Sequence, residues 1–424
     1  MNNLSVKEFA SSLNKLVVYR ELLKDPIITI LKRLIDEVCL ANGNKDEIIN
    51  LYYELNYNLI SCSEKSGLNG NLLKSYMIDS IVKSKNFFTK ACEKYGINIE
   101  KSLYNAALND MEILYKLTKL DLRKIFDLDD SLTQNYIPTL NKAPIGMFEN
   151  QKAGIINSTS PKEMLNNVIK YYFEIGSGEM SDHIAFMWRD GLVGVKDYDY
   201  VEFSDIVGYE YQKETLIKNT EAFVCGRSAN NVLLIGARGT GKSSSVKALV
   251  TEYYEKGLRL IEITKNQLLC FPEILMELKS RGKYFIVFID DLSFEEGEIE
   301  YKQMKSFLDG GIEKIPSNVL VYATSNRRHL IKETWNDRTQ VGEEEIHSSD
   351  TVNEKLSLSD RFGIKLTYIS PNQNEYFKIV EELAKKHNLN IPVETLRSEA
   401  VKWAASQNGR SGRTAKQFIN SISE

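Results

Sequence analysis

The residues "IGARGTGKSS", Ile235 to Ser244, constrain everything around them. Within them "GARGTGKS" fits G-x-x-x-x-G-K-[ST], where glycines let the backbone curl until successive N–H groups point inward at phosphate oxygens. The positive end of a following helix adds to that field. Lys242 neutralises phosphate charge, and Ser243 offers an oxygen to Mg2+. The expected phosphate cradle is therefore Gly236, Ala237, Arg238, Gly239, Thr240, Gly241, Lys242, Ser243 and Ser244.

The flanks agree with such a loop. A short apolar run, "NVLLI", enters it, and Val246, Leu249, Val250, Tyr253 and Tyr254 leave it at helical spacing before Gly257. Further strands are expected at Leu258 to Ile263, Tyr284 to Ile289, Val319 to Ala323 and Ile364 to Ile369. "YFIVFI" is apolar throughout, as parallel strands covered on both faces require. Residues 201–371 thus read as an α/β domain with a parallel five-stranded sheet and helices on both faces. "YFIVFIDD" ends in two carboxylates. Asp290 is placed to hold hydrated Mg2+, and Asp291 to orient an attacking water.

On either side the texture is helical. "NEYFKIVEELAKKH", "VETLRSEAVKWAASQ" and "SGRTAKQFINSIS" make residues 372–424 a helical subdomain. Residues 1–135 read as packed helices, as in "LNKLVVYRELL", and residues 136–200, with Pro138, Pro144, Gly146 and later glycines, as a linker and connector. Phe186 and Trp188 in that connector are expected to pack against the following domain.

Composition excludes several functions. With 424 residues, 42% hydrophobic and 26% charged, the chain has material for two or three folded domains. Its formal charge of -4 announces no nucleic-acid binder. Five scattered cysteines without a CxxC pair predict reduced thiols and a cytoplasmic setting. No apolar run approaches the ~20 residues of a membrane helix, so no membrane association is expected. His183, His329, His347 and His387 fall in unrelated contexts and suggest no nucleophilic triad. The acidic run from Trp335 to Glu354, with His347, reads as a solvated interface loop, since it lacks ligand spacing.

From Phe203 to Ile422 the chain resembles the AAA+ family of ring-forming P-loop ATPases. The resemblance implies that family's sheet order, ATP and Mg2+ as ligands, hydrolysis, a C-terminal helical lid and self-association into a homo-oligomer. "FSDIVGYEYQKETL" resembles the lead-in segment, with Val207 and Gly208 against adenine. "VYATSNRRHL" resembles the strand-four sensor, with Asn326 reaching the attacking water or terminal phosphate. Arg327 and Arg328 beside it read either as sensors or as partner-facing charges. "LSLSDRFG" resembles the arginine-finger box, with Arg361 directed at a neighbour's nucleotide. "NGRSGRTAKQF" is similar to the sensor at the start of a lid helix, with Arg413 facing the phosphates and Arg410 as its rival.

The family's usual Asp-Glu pair is Asp-Asp here, which shortens the second carboxylate by one methylene. "IDDLSF", "TSNRR" and "SDRFG" look closer to the initiator and helicase-loader branch, although no DNA-binding helix-turn-helix follows the lid. The whole chain, including "EIGSGEMSDHIAFMW", resembles a bacterial AAA+ family described as a domain of unknown function. The expected function is an oligomeric ATPase that remodels or regulates a protein client selected by the N-terminal helices. The alternatives are a slow or non-hydrolysing ATP-switched scaffold and a loader-type ATPase acting on nucleic-acid complexes.

Overall fold

The computed structural model describes residues 11–40, 44–121, 132–140, 148–295, 298–308, 314–327, 330, 358–407 and 409–423. Two compact units divide the chain, Met1–His183 and Ile184–Glu424.

The first unit is built from α1 (Pro26–Cys39), α2 (Lys45–Ser66), α3 (Leu72–Val82), α4 (Phe87–Tyr95), α5 (Lys101–Thr118), α6 (Glu149–Ile156) and α7 (Pro161–Glu174). Local chemistry fixes several of their starts. Asp25 accepts from the Ile28 N–H with Pro26 in the first turn, Ser160 does the same for Glu163 ahead of Pro161, and Asn86 with Thr89 forms a capping box. Leu31, Leu34, Leu55, Ile81, Phe88, Leu114 and Val168 are buried between the helices.

Charge is buried in this unit as well, and it is satisfied. Asp110 accepts the N–H groups of Val17, Val18 and Tyr19 at 2.7–3.1 Å. Asp79 and Asp182 alternate with Lys83 and Lys152 in a ring of ion pairs of 2.7–3.2 Å. Burial pushes the Asp182 carboxyl up, but Lys152 and Lys83 more than offset this and hold it below the usual aspartate value. Ser177, in the glycine-flanked turn after α7, gives its N–H and hydroxyl to the buried Glu93.

Among the described residues the second unit carries a seven-stranded sheet of order β2-β1-β4-β5-β6-β3-β7. The strands are β1 (Ala185–Trp188), β2 (Leu192–Gly194), β3 (Val232–Gly236), β4 (Leu258–Ile263), β5 (Tyr284–Ile289), β6 (Val319–Ser325) and β7 (Ile364–Tyr368). Five of them, β3 to β7, are the parallel strands expected from the apolar runs. The expectation of five strands in all is corrected by a hairpin on the far edge. Asp190 and Gly191, both at positive φ, make its turn; β1 then pairs parallel with β4 and β2 antiparallel with β1. Those turn residues and the brevity of the strands disguise the hairpin as a connector. Phe186 and Trp188 are buried on β1.

The helices of this unit include α8 (Glu210–Val224), α9 (Lys242–Tyr253), α10 (Phe271–Lys279) and α11 (Ile299–Leu308). Asn219 and Thr220 of α8 reach the buried Tyr322 hydroxyl of β6 at 3.0 and 2.9 Å, which ties that helix to the sheet. Three more helices follow the last strand: α12 (Gln373–Lys386), α13 (Val393–Ser406) and α14 (Gly412–Ile422). They close around Tyr376, Val380, Leu396, Ala400, Ala415 and Ile419, and Val207 packs against that core from outside. Among the described residues no helix is long and apolar enough to cross a membrane.

Candidate nucleotide-binding site

Strand order brings the site together. In parallel neighbours β5, β6 and β3, spaced about 4.8 Å apart, the C-terminal ends lie side by side. Those ends carry Asp290 and Asp291, then Thr324 and Asn326, then the phosphate loop.

The loop is shaped by its glycines. Gly236, at φ 154°, lies so close to β7 that a Cβ would stand 2.0 Å from the Tyr368 carbonyl oxygen. Gly241 is left-handed, with φ 89°, and caps α9, leaving the first N–H groups of that helix to face the curl of the loop. The Thr240 hydroxyl closes the turn onto the Ala237 carbonyl at 2.8 Å. Lys242 is buried, and its ammonium donates to the carbonyls of Gly236 and Ala237, both at 2.8 Å, and to Asn326 Oδ1 at 3.0 Å. Its pKa is pushed down, chiefly by burial and in part by Arg238 and Arg413, against the pull of Asp290 and Asp291.

Opposite the loop stand the two carboxylates. Ser243 Oγ donates to Asp290 Oδ1 at 2.7 Å, so a hydroxyl and a carboxylate oxygen share one place. Such hard oxygen ligands suit Mg2+. Asp291, at φ 53°, accepts from Asn326 Nδ2 at 2.6 Å and faces the Arg238 guanidinium at 3.5 Å. The structure thus joins Lys242, Ser243, Asp290, Asp291 and Asn326 through one network. Thr324 completes it: its hydroxyl donates to Asp290 and accepts the Asp291 N–H. Sequence reading passed over Thr324, because a threonine within a strand looks like an ordinary β-branched residue.

The lead-in and the last helix lie on the loop. Gly208 has φ 82°, and Tyr209 after it is left-handed, with its ring 4.9 Å from that of Tyr368 and its hydroxyl on the Ile369 carbonyl. The side chain of Ile206 lies against Gly241. Ser411 caps α14 at the surface of the loop, where a Cβ on Gly239 would meet its Oγ at 2.8 Å, and the Arg413 N–H donates to the Gly239 carbonyl. Arg413 therefore stands at the loop, whereas no contact ties the exposed Arg410 to it among the described residues.

Arg361 does not join this group. It lies, half-buried, before β7 and thus at the end of that strand remote from the phosphate loop. Arg327 follows Asn326 and its N–H donates to Ser325 Oγ. Arg328, His329 and the acidic run with His347 lie outside the described residues.

Residues 181–424 match the family model described as "Protein of unknown function (DUF815)". No curated protein matches the chain. Among solved structures, a mutant of Thermotoga maritima RuvB is 19% identical with a TM-score of 0.37, over 52% of this chain and 64% of that one. The chain thus spans less than two thirds of that protein. The Thermotoga maritima RuvB Holliday junction branch migration motor is 16% identical with a TM-score of 0.32, over 52% of this chain and 72% of that one.

Proposed function

The chain belongs to the DUF815 family, and on that premise we propose that its P-loop module binds ATP with Mg2+ and hydrolyses it as part of a homo-oligomer. The observation that carries this reading is the network at the strand tips, which gathers a phosphate-gripping lysine, two oxygen ligands for Mg2+ and a second carboxylate held by an amide.

Each residue has a task in that reading. All three ammonium N–H bonds of Lys242 have partners inside the site, so gripping the β- and γ-phosphates exchanges loop carbonyls for phosphate oxygens. Ser243 and Asp290 hold Mg2+, which when bound neutralises charge on the phosphates. Asp291 orients the attacking water, and Asn326 fixes the direction of that carboxylate. Val207 and Gly208 receive the adenine beside the helical subdomain. Residues 372–424 act as a lid whose Arg413 reports the phosphates through the Gly239 contact. The helices of the first unit, those of residues 1–135 together with α6 and α7, choose a protein client, and the β1–β2 hairpin extends the sheet of the module at 201–371.

Arg361 serves a neighbour's nucleotide. About 13 Å of strand separate Ile364, just beyond it, from Tyr368 beside Gly236, a separation that supports action between subunits. One observation favours a slower, switch-like enzyme as second reading: Asp291 is both short and engaged by Asn326 and Arg238.

Lys242→Ala tests the core of the proposal. Loss of charge-assisted bonds to phosphate weakens ATP binding by about ten- to a hundredfold. Calorimetric titration with ATP and Mg2+ checks this, and equal affinity in wild type and variant would refute the assignment.

A further inference from the structure

One buried hydroxyl links the two aspartates on which the proposed chemistry depends, the first by its carboxylate and the second by its backbone N–H. Thr324, 2% exposed on β6, has one hydroxyl proton and two lone pairs to place. The Asp291 N–H donates to its Oγ1 at 2.9 Å. Its own proton is therefore free to go to Asp290 Oδ1, an acceptor only, and that bond is present. The carbonyl of the same threonine accepts the Leu292 N–H at 2.7 Å.

Thr324 thus holds three consecutive residues at the tip of β5, the first by its carboxylate and the next two by their N–H groups. The middle one, Asp291, is an aspartate at φ 53°, a conformation that persists in a non-glycine residue where the surroundings determine it. From that turn its side chain meets Asn326 at 2.6 Å. Remove the hydroxyl, and Asp290 loses a donor that fixes one oxygen while the turn at Asp291 loses its acceptor.

We propose that Thr324 is a positioning residue for phosphoryl transfer, which sets Asp290 for Mg2+ and Asp291 for water through one hydroxyl. The proposal rests on the ATPase reading above and assigns a role to a side chain that is itself buried. Asp290 meets Ser243 as well, so loss of Thr324 loosens this carboxylate without freeing it. The expected defect is therefore in metal use and turnover, with the phosphate loop itself intact.

The experiment compares wild type, Thr324→Val, which keeps the shape and removes the hydroxyl, and Thr324→Ser, which restores it. Three readouts are taken: affinity for a fluorescent ATP analogue without Mg2+, the Mg2+ concentration for half-maximal turnover, and kcat against KM for ATP. For Thr324→Val, Mg2+-free affinity should stay within about threefold of wild type, while kcat falls and the Mg2+ requirement rises, each about tenfold. Thr324→Ser should recover to within about threefold of wild type in every readout.

Wild-type kcat and Mg2+ requirement in Thr324→Val would overturn the role of Thr324 and leave the ATPase reading standing. A Thr324→Ser defect as deep as that of Thr324→Val would overturn it too, since the methyl would then be what matters. Wild-type protein that neither binds nor hydrolyses ATP would overturn the ATPase reading and this proposal with it. If Thr324→Val does not fold, Thr324→Ala takes its place with the same expected split, and loss of Mg2+-free binding by the folded Thr324→Ala variant would contradict the proposal.

Discussion

At Gly236 the backbone of the phosphate loop passes so near β7 that even one methyl has no room. The Tyr368 carbonyl would stand 2.0 Å from an added Cβ, and its own Cβ 2.9 Å away, so both strands would have to part. Gly236→Ala should therefore cost about 1–3 kcal/mol and weaken nucleotide binding, as a lowered melting temperature and an ATP titration would register. An unchanged melt would mean that β7 yields easily. Residues of this kind were legible in the sequence, since the glycine spacing states what the backbone must do. Asp290 was legible as well, from an apolar strand ending in a carboxylate. Thr324 and the tie from Arg238 to Asp291 were not, because their partners lie 34 and 53 positions away and only the strand order introduces them.

Among elements, the hairpin β1–β2 and the helices of the first unit show where pattern reading stops. Unbroken apolar runs announced β3 to β7, but β2 is three residues long and shows no usable period. Helices α6 and α7 are stitched to α3 by charge: Lys152 of α6 meets Asp79 of α3, and Asp182 after α7 meets Lys83 and Lys152. No periodicity reveals a lysine whose partners lie 73 residues before it and 30 after. Lys152→Met would leave buried carboxylates with one cation fewer, at a cost of about 3–5 kcal/mol. Urea unfolding at neutral pH measures it, and a cost below about 1 kcal/mol would show that the ring contributes little. The sign with pH follows from Asp182. Its carboxyl titrates below the ordinary value when folded, so its contribution is present above about pH 4 and is lost as pH falls through the folded value.

For the molecule as a whole, the position of Arg361 makes the proposed ATPase a matter of assembly. The residue stands at the far end of β7 from its own phosphate loop, and in the proposed reading its charge serves a transferring phosphate in another copy of the chain. Arg361→Ala should keep ATP affinity and lose turnover by about 10³-fold, the scale on which an arginine supplied to a phosphate acts. Equal loss of binding and turnover would place Arg361 in the fold of its own subunit. The measurement that bears most directly on the proposed ATPase is phosphate release from Mg·ATP per chain across a wide range of protein concentration, with Lys242→Ala alongside. Turnover should rise with concentration and vanish in Lys242→Ala. Wild-type release no greater than that of Lys242→Ala at any concentration would contradict the ATPase reading.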